Sequence, residues 1–260
     1  MFEVLAGDDA SPVILHVPHA SRHVTPAARA GIVLDDEALA AELDLMTDAH
    51  TDVIAERAAV RAGGTPWRFV NLASRLVVDP ERFPDPDAEE MTAVGMGAVY
   101  TRTSHGAMLR ADDPDRAEEL LATHFRPYAQ AMTELVDGRL AACGRAVVID
   151  VHSYPSARLP YELHDGPRPP VCLGTDDAHT PGWLADAGRR AFGDLGVGWN
   201  TPFAGCYVPL RHYGRDDRVA AIMVEIRRDT YLVEPGGRPT AGIDVLVHGL
   251  AVLVDAAGGR

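Results

Sequence analysis

Four short unbroken apolar runs, Val13 to Val17, Ala146 to Val151, Val171 to Leu173 and Ala220 to Ile226, set the terms on which this chain can fold. A strand with one wet face alternates apolar and polar residues, whereas a strand covered on both faces reads as a continuous apolar run. These runs therefore predict buried strands of a sheet sandwiched between helices. Helical patterns fill the intervals, from about Asp36 to Arg61, Pro114 to Ala142, Thr180 to Phe192 and Thr240 to Ala256. Thr180-Pro181 reads as an N-cap followed by proline at the first helical position, and Thr240 as the cap of the last helix. The alternation predicts an α/β fold with a mixed, mostly parallel central sheet and helices on both faces. Asn71 to Gly106 and Pro155 to Pro170, rich in Pro, Gly and Arg, predict long loops of the kind that carry function.

A length of 260 residues without linker or repeat suits one α/β domain over the whole chain. The formal net charge is -14, all 24 basic residues are arginine, and no basic stripe stands out. Nucleic acid and anionic membranes are therefore poor partners. No apolar stretch approaches the ~20 residues of a membrane span, and Met1 to Asp9 lacks the pattern of a signal peptide, which predicts a cytoplasmic protein. Cys143, Cys172 and Cys206 form neither a CxxC pair nor an even disulfide set, so free thiols are expected. Oligomeric state has no signature in the sequence.

Two of the apolar runs end in a histidine: Val17-Pro18-His19 and Asp150-Val151-His152. In an open α/β sheet the carboxyl ends of the strands border the ligand crevice, so His19 and His152 can converge there. Catalytic zinc takes three histidine or carboxylate ligands and leaves a position open. Asp44, Asp48 and Asp52, every fourth residue of the expected helix, share a face and offer the third ligand. Such like charges repel, so the stripe faces solvent, a cation or arginines. His16 and His23 are alternative ligands, and each histidine taken singly also suits a core or capping role.

Glu225 stands within the apolar run that ends in Arg227-Arg228. It reads either as a base whose basicity burial raises, or as the partner of Arg227, Arg228 or Arg75. Arg75, Arg82 and Arg102 offer planar forks suited to a carboxylate. Tyr207 and Tyr213 lie beside glycines in a stretch where backbone and rings can approach a ligand closely.

In order along the chain, Val17-Pro18-His19-Ala20-Ser21, Asp44 to Asp52, Ser74-Arg75-Leu76-Val77-Val78-Asp79, Asp150-Val151-His152-Ser153, Pro202-Phe203-Ala204-Gly205 and Val224 to Tyr231 resemble the N-formylglutamate amidohydrolase family. The resemblance implies a phosphorylase/hydrolase-like fold akin to zinc carboxypeptidases. It also implies Zn2+, or another divalent transition metal, and hydrolysis of N-formyl-L-glutamate, a small anionic acyl amino acid, in histidine breakdown. Carried over by position, it makes His19, His152 and Asp48 metal ligands, with Asp44 and Asp52 as alternatives. Glu225 becomes the base, Arg75, Arg82 and Arg102 match arginines suited to the substrate's carboxylates, and either Arg75 or Arg102 would neutralise the developing oxyanion or clamp a carboxylate. Family members often carry Ser-Gly where this chain has Ala20-Ser21, and Asn-Arg where it has Asp79-Pro80-Glu81-Arg82. These departures bear on the substrate, leaving another N-acyl amino acid or small amide, or a non-catalytic site for an acidic metabolite, as alternatives.

Overall fold

The computed structural model describes residues 1–259. Seven strands form one sheet: β1 (Phe2–Leu5), β2 (Val13–Val17), β3 (Trp67–Asn71), β4 (Ala146–Tyr154), β5 (Val171–Gly174), β6 (Val197–Trp199) and β7 (Val219–Arg227). Their spatial order is β1-β3-β2-β4-β7-β5-β6. The β3–β2, β2–β4, β4–β7 and β5–β6 pairs are parallel, while β1–β3 and β5–β7 run antiparallel. The expected mixed, mostly parallel sheet is the one observed. The four apolar runs are its β2, β4, β5 and β7. The short strands β1 and β6 lie at the sheet edges, and β1, β3 and β6 lack unbroken apolar runs because part of each remains accessible.

Among the described residues the α-helices are α1 (Pro26–Ala30), α2 (Asp36–Met46), α3 (Thr51–Arg61), α4 (Pro114–Leu120), α5 (Arg126–Cys143), α6 (Gly182–Phe192) and α7 (Gly242–Gly258). Helices α4 and α5 join through one wider turn at Leu121–Phe125, so the long pattern ending near Ala142 is continuous. The pattern beginning at Asp36 is not: residues 47–50 break it, and His50 takes a left-handed φ of 68°. Thr180 does not cap α6, because its hydroxyl donates to the Ala221 carbonyl and accepts from the Asp176 N–H. Thr240 does not take the N-cap of α7 either: that position is Ala241, and the Thr240 hydroxyl accepts the Gly242 N–H at 3.3 Å from just before it.

The sheet's two faces sort by residue parity. Leu15, Ile149, Ile222 and Val224 pack with α3, α6 and α7. Ile14, Val148 and Ala221 face Tyr128, Met132 and Val136 of α5. His16, Asp150, His152 and Glu225 continue this second set toward the carboxyl ends of their strands. The long Asn71–Gly106 stretch is packed rather than loose: Leu76, Met91, Met96 and Tyr100 join Leu39, Leu43 and Met46 of α2 in a separate apolar cluster. Buried Glu42 accepts the Ser104 N–H at 2.6 Å and its hydroxyl at 2.9 Å, which closes the far end of the stretch onto α2.

Ile149 is fully buried at the centre of the sheet. Ile149→Ala removes three carbons there and is expected to cost about 2–5 kcal/mol in urea unfolding. A loss under about 1 kcal/mol would contradict this packing.

Candidate metal centre and cleft

The α2–α3 break carries the site. Asp48 lies in it, and its N–H donates to the His19 carbonyl at 3.0 Å, tying the turn to the chain just beyond β2. The Thr51 hydroxyl donates to the Asp48 carbonyl at 2.8 Å, and Tyr231 Oη to the Ala49 carbonyl at 2.6 Å. Register supplies the rest: His16 lies opposite Asp150 in β2–β4, and His152 opposite Glu225 in β4–β7.

Three atoms converge. His19 Nδ1 and His152 Nδ1 are 3.3 Å apart, and Asp48 Oδ2 is 3.2 Å from His152 Nδ1 and 3.7 Å from His19 Nδ1. A tetrahedral ion bound at ~2.0–2.1 Å separates its ligand atoms by roughly 3.3–3.4 Å, so the triad fits one. The far side of each imidazole faces carboxylate: His19 Nε2 is 2.9 Å from Asp79 Oδ1, and His152 Nε2 is 3.1 Å from both Asp150 Oδ1 and Glu81 Oε2. Outer carboxylates of this kind fix the ring and strengthen it as a ligand. Arg228 holds the other Asp48 oxygen at 3.0 Å while donating to Ser153 Oγ and the Leu45 carbonyl.

Charge in this buried place is set by neighbours. Burial works against the Asp48 carboxylate, yet His152, His19 and Arg228 hold it well below the usual carboxylate range. Asp79 is likewise held low against its burial, chiefly by Arg75 and His19. Burial depresses His152, but Asp150 and Glu81 overcome it and hold the imidazole well above its ordinary value. For His19, burial and Arg75 oppose the charge while Asp79 and Asp48 favour it, with a net rise. Glu225 is different: burial pushes its carboxyl up to about 7, only partly offset by His152. Its Oε2 is buried without a hydrogen-bond partner.

A cleft of about 620 Å³ opens over these groups, lined by His152, Glu225, Arg75, Arg82 and Glu81 among others. Arg75 donates to Asp79 Oδ2 at 2.9 Å and to Tyr100 Oη at 3.1 Å, with Nη1 4.0 Å from Asp48. Arg82 Nε, buried and without a hydrogen bond, lies 3.6 Å from Asp79 Oδ2, and Nη1 lies 3.9 Å from Glu89 Oε1. Tyr207 and Tyr213 both line the cleft; the Tyr213 hydroxyl donates to Asp176 at 3.1 Å.

Several expected groups stand elsewhere. Arg102 is exposed in a bridge to Met108 and does not line the cleft. Because the helix breaks, the aspartate stripe does not form: Asp44 pairs with Arg22, exposed Asp52 accepts the Val53 N–H, and only Asp48 reaches the histidines. His23 is exposed, and His16 binds Asp150 rather than joining the triad. Neither Arg227 nor Arg228 hydrogen-bonds Glu225: Arg227 pairs with Asp229 and Arg228 with Asp48. All three cysteines are free, though only Cys172 is fully buried. Sequence reasoning missed Asp79, Glu81 and Asp150. Asp150, two residues before His152 on a strand, was open to a period-two reading; Asp79, within an irregular stretch, gave no such signal.

A sequence profile of the N-formylglutamate amidohydrolase family matches residues 11–232. The N-formylglutamate deformylase of Pseudomonas aeruginosa is 28% identical over 232 residues, spanning 86% of this chain and 83% of that protein. Among solved structures, the N-formylglutamate amidohydrolase of Ralstonia eutropha superposes with a TM-score of 0.79 at 24% identity, over 98% of this chain and 95% of that one. A gene product of Agrobacterium tumefaciens gives a TM-score of 0.72 at 19% identity, over 98% and 94%.

An ion at the triad competes with protons for His19 and His152, whose carboxylate neighbours raise both imidazoles from their ordinary value. Zinc affinity is therefore expected to fall as pH drops from about 8 to 6, by about tenfold per unit for each proton displaced. Calorimetric titration checks this, and an affinity flat over that range would contradict it.

Proposed function

The chain belongs to the N-formylglutamate amidohydrolase family, and from that premise we propose that it is a metal-dependent hydrolase releasing formate from N-formyl-L-glutamate. The observation that carries the reading is the convergence of His19 Nδ1, His152 Nδ1 and Asp48 Oδ2 at tetrahedral spacing beside a carboxyl with an unpartnered oxygen. Those three residues would hold the ion, with zinc the natural choice for two imidazoles and a carboxylate, though cobalt, iron or manganese suit the same donors. When bound, such an ion supplies Lewis acidity, polarising a carbonyl and acidifying water.

The protein's own groups do the rest. Water adds to the formyl carbon as Glu225 takes its proton, and Glu225 returns that proton to the nitrogen as the C–N bond breaks, leaving formate and L-glutamate. A carboxyl near 7 suits both halves of that transfer, because it is neither too weak to accept nor too strong to hold a proton at neutral pH. Arg75, braced by Asp79 and Tyr100, is placed to meet developing negative charge. Arg82, on the cleft wall and only loosely ion-paired with Asp79 and Glu89, is the grip for a substrate carboxylate, while Tyr207 and Tyr213 bound the cleft around it. On this reading the protein acts in the cytoplasm, in histidine breakdown.

Formate release from N-formyl-L-glutamate is the direct test. Activity lost on chelation and restored by zinc is the expected result, and no release from protein carrying zinc would reject this substrate. Glu225→Gln is expected to lower kcat about 10²–10⁴-fold with zinc still bound. In the parent, kcat/KM is expected to fall with falling pH along a limb below about 7, since the base must be ionised and a nearby dication lowers its pKa further. That limb should vanish in Glu225→Gln, and a variant with parental turnover would remove Glu225 from the role. Arg82→Ala is expected to raise KM about 10–100-fold, the worth of a charged hydrogen bond; an unchanged KM would free Arg82 from substrate.

A further inference from the structure

Behind the metal triad runs a second line of buried polar groups that the proposed reaction does not use. Asp150 Oδ1 sits 3.1 Å from His152 Nε2 and 2.8 Å from His16 Nδ1. His16 Nε2 in turn meets the Tyr128 hydroxyl at 2.5 Å, and the Tyr207 N–H donates to Asp150 Oδ2 at 3.2 Å. Tyr128, His16, Asp150 and His152 are each at most 3% exposed. The line therefore crosses from α5 through β2 to β4 and meets the cleft only at its Asp150–His152 end.

The bonding sense follows from chemistry. A carboxylate only accepts, so His16 Nδ1 donates to Asp150, and Nε2 meets the Tyr128 hydroxyl. Asp150 accepts on both oxygens, Oδ1 from His16 and Oδ2 from the Tyr207 N–H. These bonds account for His16 and Asp150 without an ion of their own. The same Oδ1 that His16 holds also faces the side of His152 turned away from the triad. That oxygen lies off the line of the Nε2–H bond, as does Glu81, so the ring is held between two negative groups rather than by one straight bond.

We propose that His16 and Tyr128 are positioning residues. Acting through Asp150, they fix the His152 ring with Nδ1 toward His19 and Asp48, and so raise the affinity of the triad for a divalent ion. The proposal rests on the metal reading above. It extends that reading two residues beyond the ligands, to a histidine that sequence alone offers as a ligand and a tyrosine that sequence does not single out. Loss of an outer partner typically costs 10–100-fold in metal affinity.

The test is zinc affinity by competition with a chromophoric chelator, alongside the melting temperature of the metal-free protein. Tyr128→Phe deletes one oxygen and keeps the ring packed on Phe2 and Phe69. It is expected to weaken zinc about tenfold while leaving the fold intact. At position 16 two variants separate a relay from simple packing. His16→Asn keeps a donor near the place of Nδ1, whereas His16→Leu keeps bulk and loses the donor. Packing alone ranks Leu above Asn in melting temperature and says nothing of zinc; the relay ranks Asn above Leu in zinc affinity. Zinc affinity within twofold of the parent in Tyr128→Phe and His16→Leu, with folded protein, overturns the proposal and leaves the metal reading standing. A parent that binds no zinc overturns both.

Discussion

Parallel pairing of β4 with β2 on one side and β7 on the other is the constraint on which the site depends. Parallel strands share a direction, so their carboxyl ends open on the same edge of the sheet, and a fixed register places particular residues side by side. Here that register sets His16 beside Asp150 and His152 beside Glu225, all on the face toward α5. Slipping β4 by one residue would turn Asp150 and His152 into the apolar layer of α3, α6 and α7, and Ile149 and Val151 into the cleft. The dense packing of Ile149, Ile222 and Val224 on that opposite face therefore positions the polar groups.

Concentrating this much charge in a buried place is costly unless each group is matched. The molecule meets the demand by sharing. Asp48 serves two imidazoles and Arg228, Asp79 serves His19, Arg75 and Tyr100, and Asp150 serves His16, His152 and the Tyr207 N–H. Around the cleft, Glu225 Oε2, Glu81 Oε1 and Arg82 Nε are buried without a hydrogen bond, and His152 Nε2 has only the off-line carboxylates of Asp150 and Glu81; Thr47 Oγ1, Arg110 Nε and Arg139 Nε are left over away from it. A buried carboxyl pushed up to about 7 beside a cleft lined by arginine is what a hydrolytic site for an anionic amide would keep in reserve.

Much of this was legible in the sequence. Unbroken apolar runs identified the four longest-buried strands, because continuous apolarity is what a doubly covered strand requires. The histidines at two of their ends followed from the same reasoning. What escaped notice was decided by long-range contacts. Nothing in Thr47-Asp48-Ala49-His50 signals a helix break, since it holds no glycine or proline; the break is sustained by bonds from Asp48 to His19 and from Tyr231 to Ala49. The helical reading thus placed three aspartates on one face, when tertiary bonds select one. Arg102 looked equivalent to Arg75 and Arg82 in sequence, but it lies beyond Gly95, at the outer end of a packed stretch that turns it to solvent. Asp79 and Glu81 reach the histidines only through the path of that stretch, which no local pattern encodes.

The central claim is that His19, His152 and Asp48 together hold one divalent ion. X-ray absorption at the zinc edge of protein loaded with one equivalent tests it most directly. The expected spectrum shows two imidazoles and a carboxylate oxygen at about 2.0–2.1 Å, falling to one imidazole in His152→Ala. A first shell containing sulfur, or one without imidazole scattering, would contradict it.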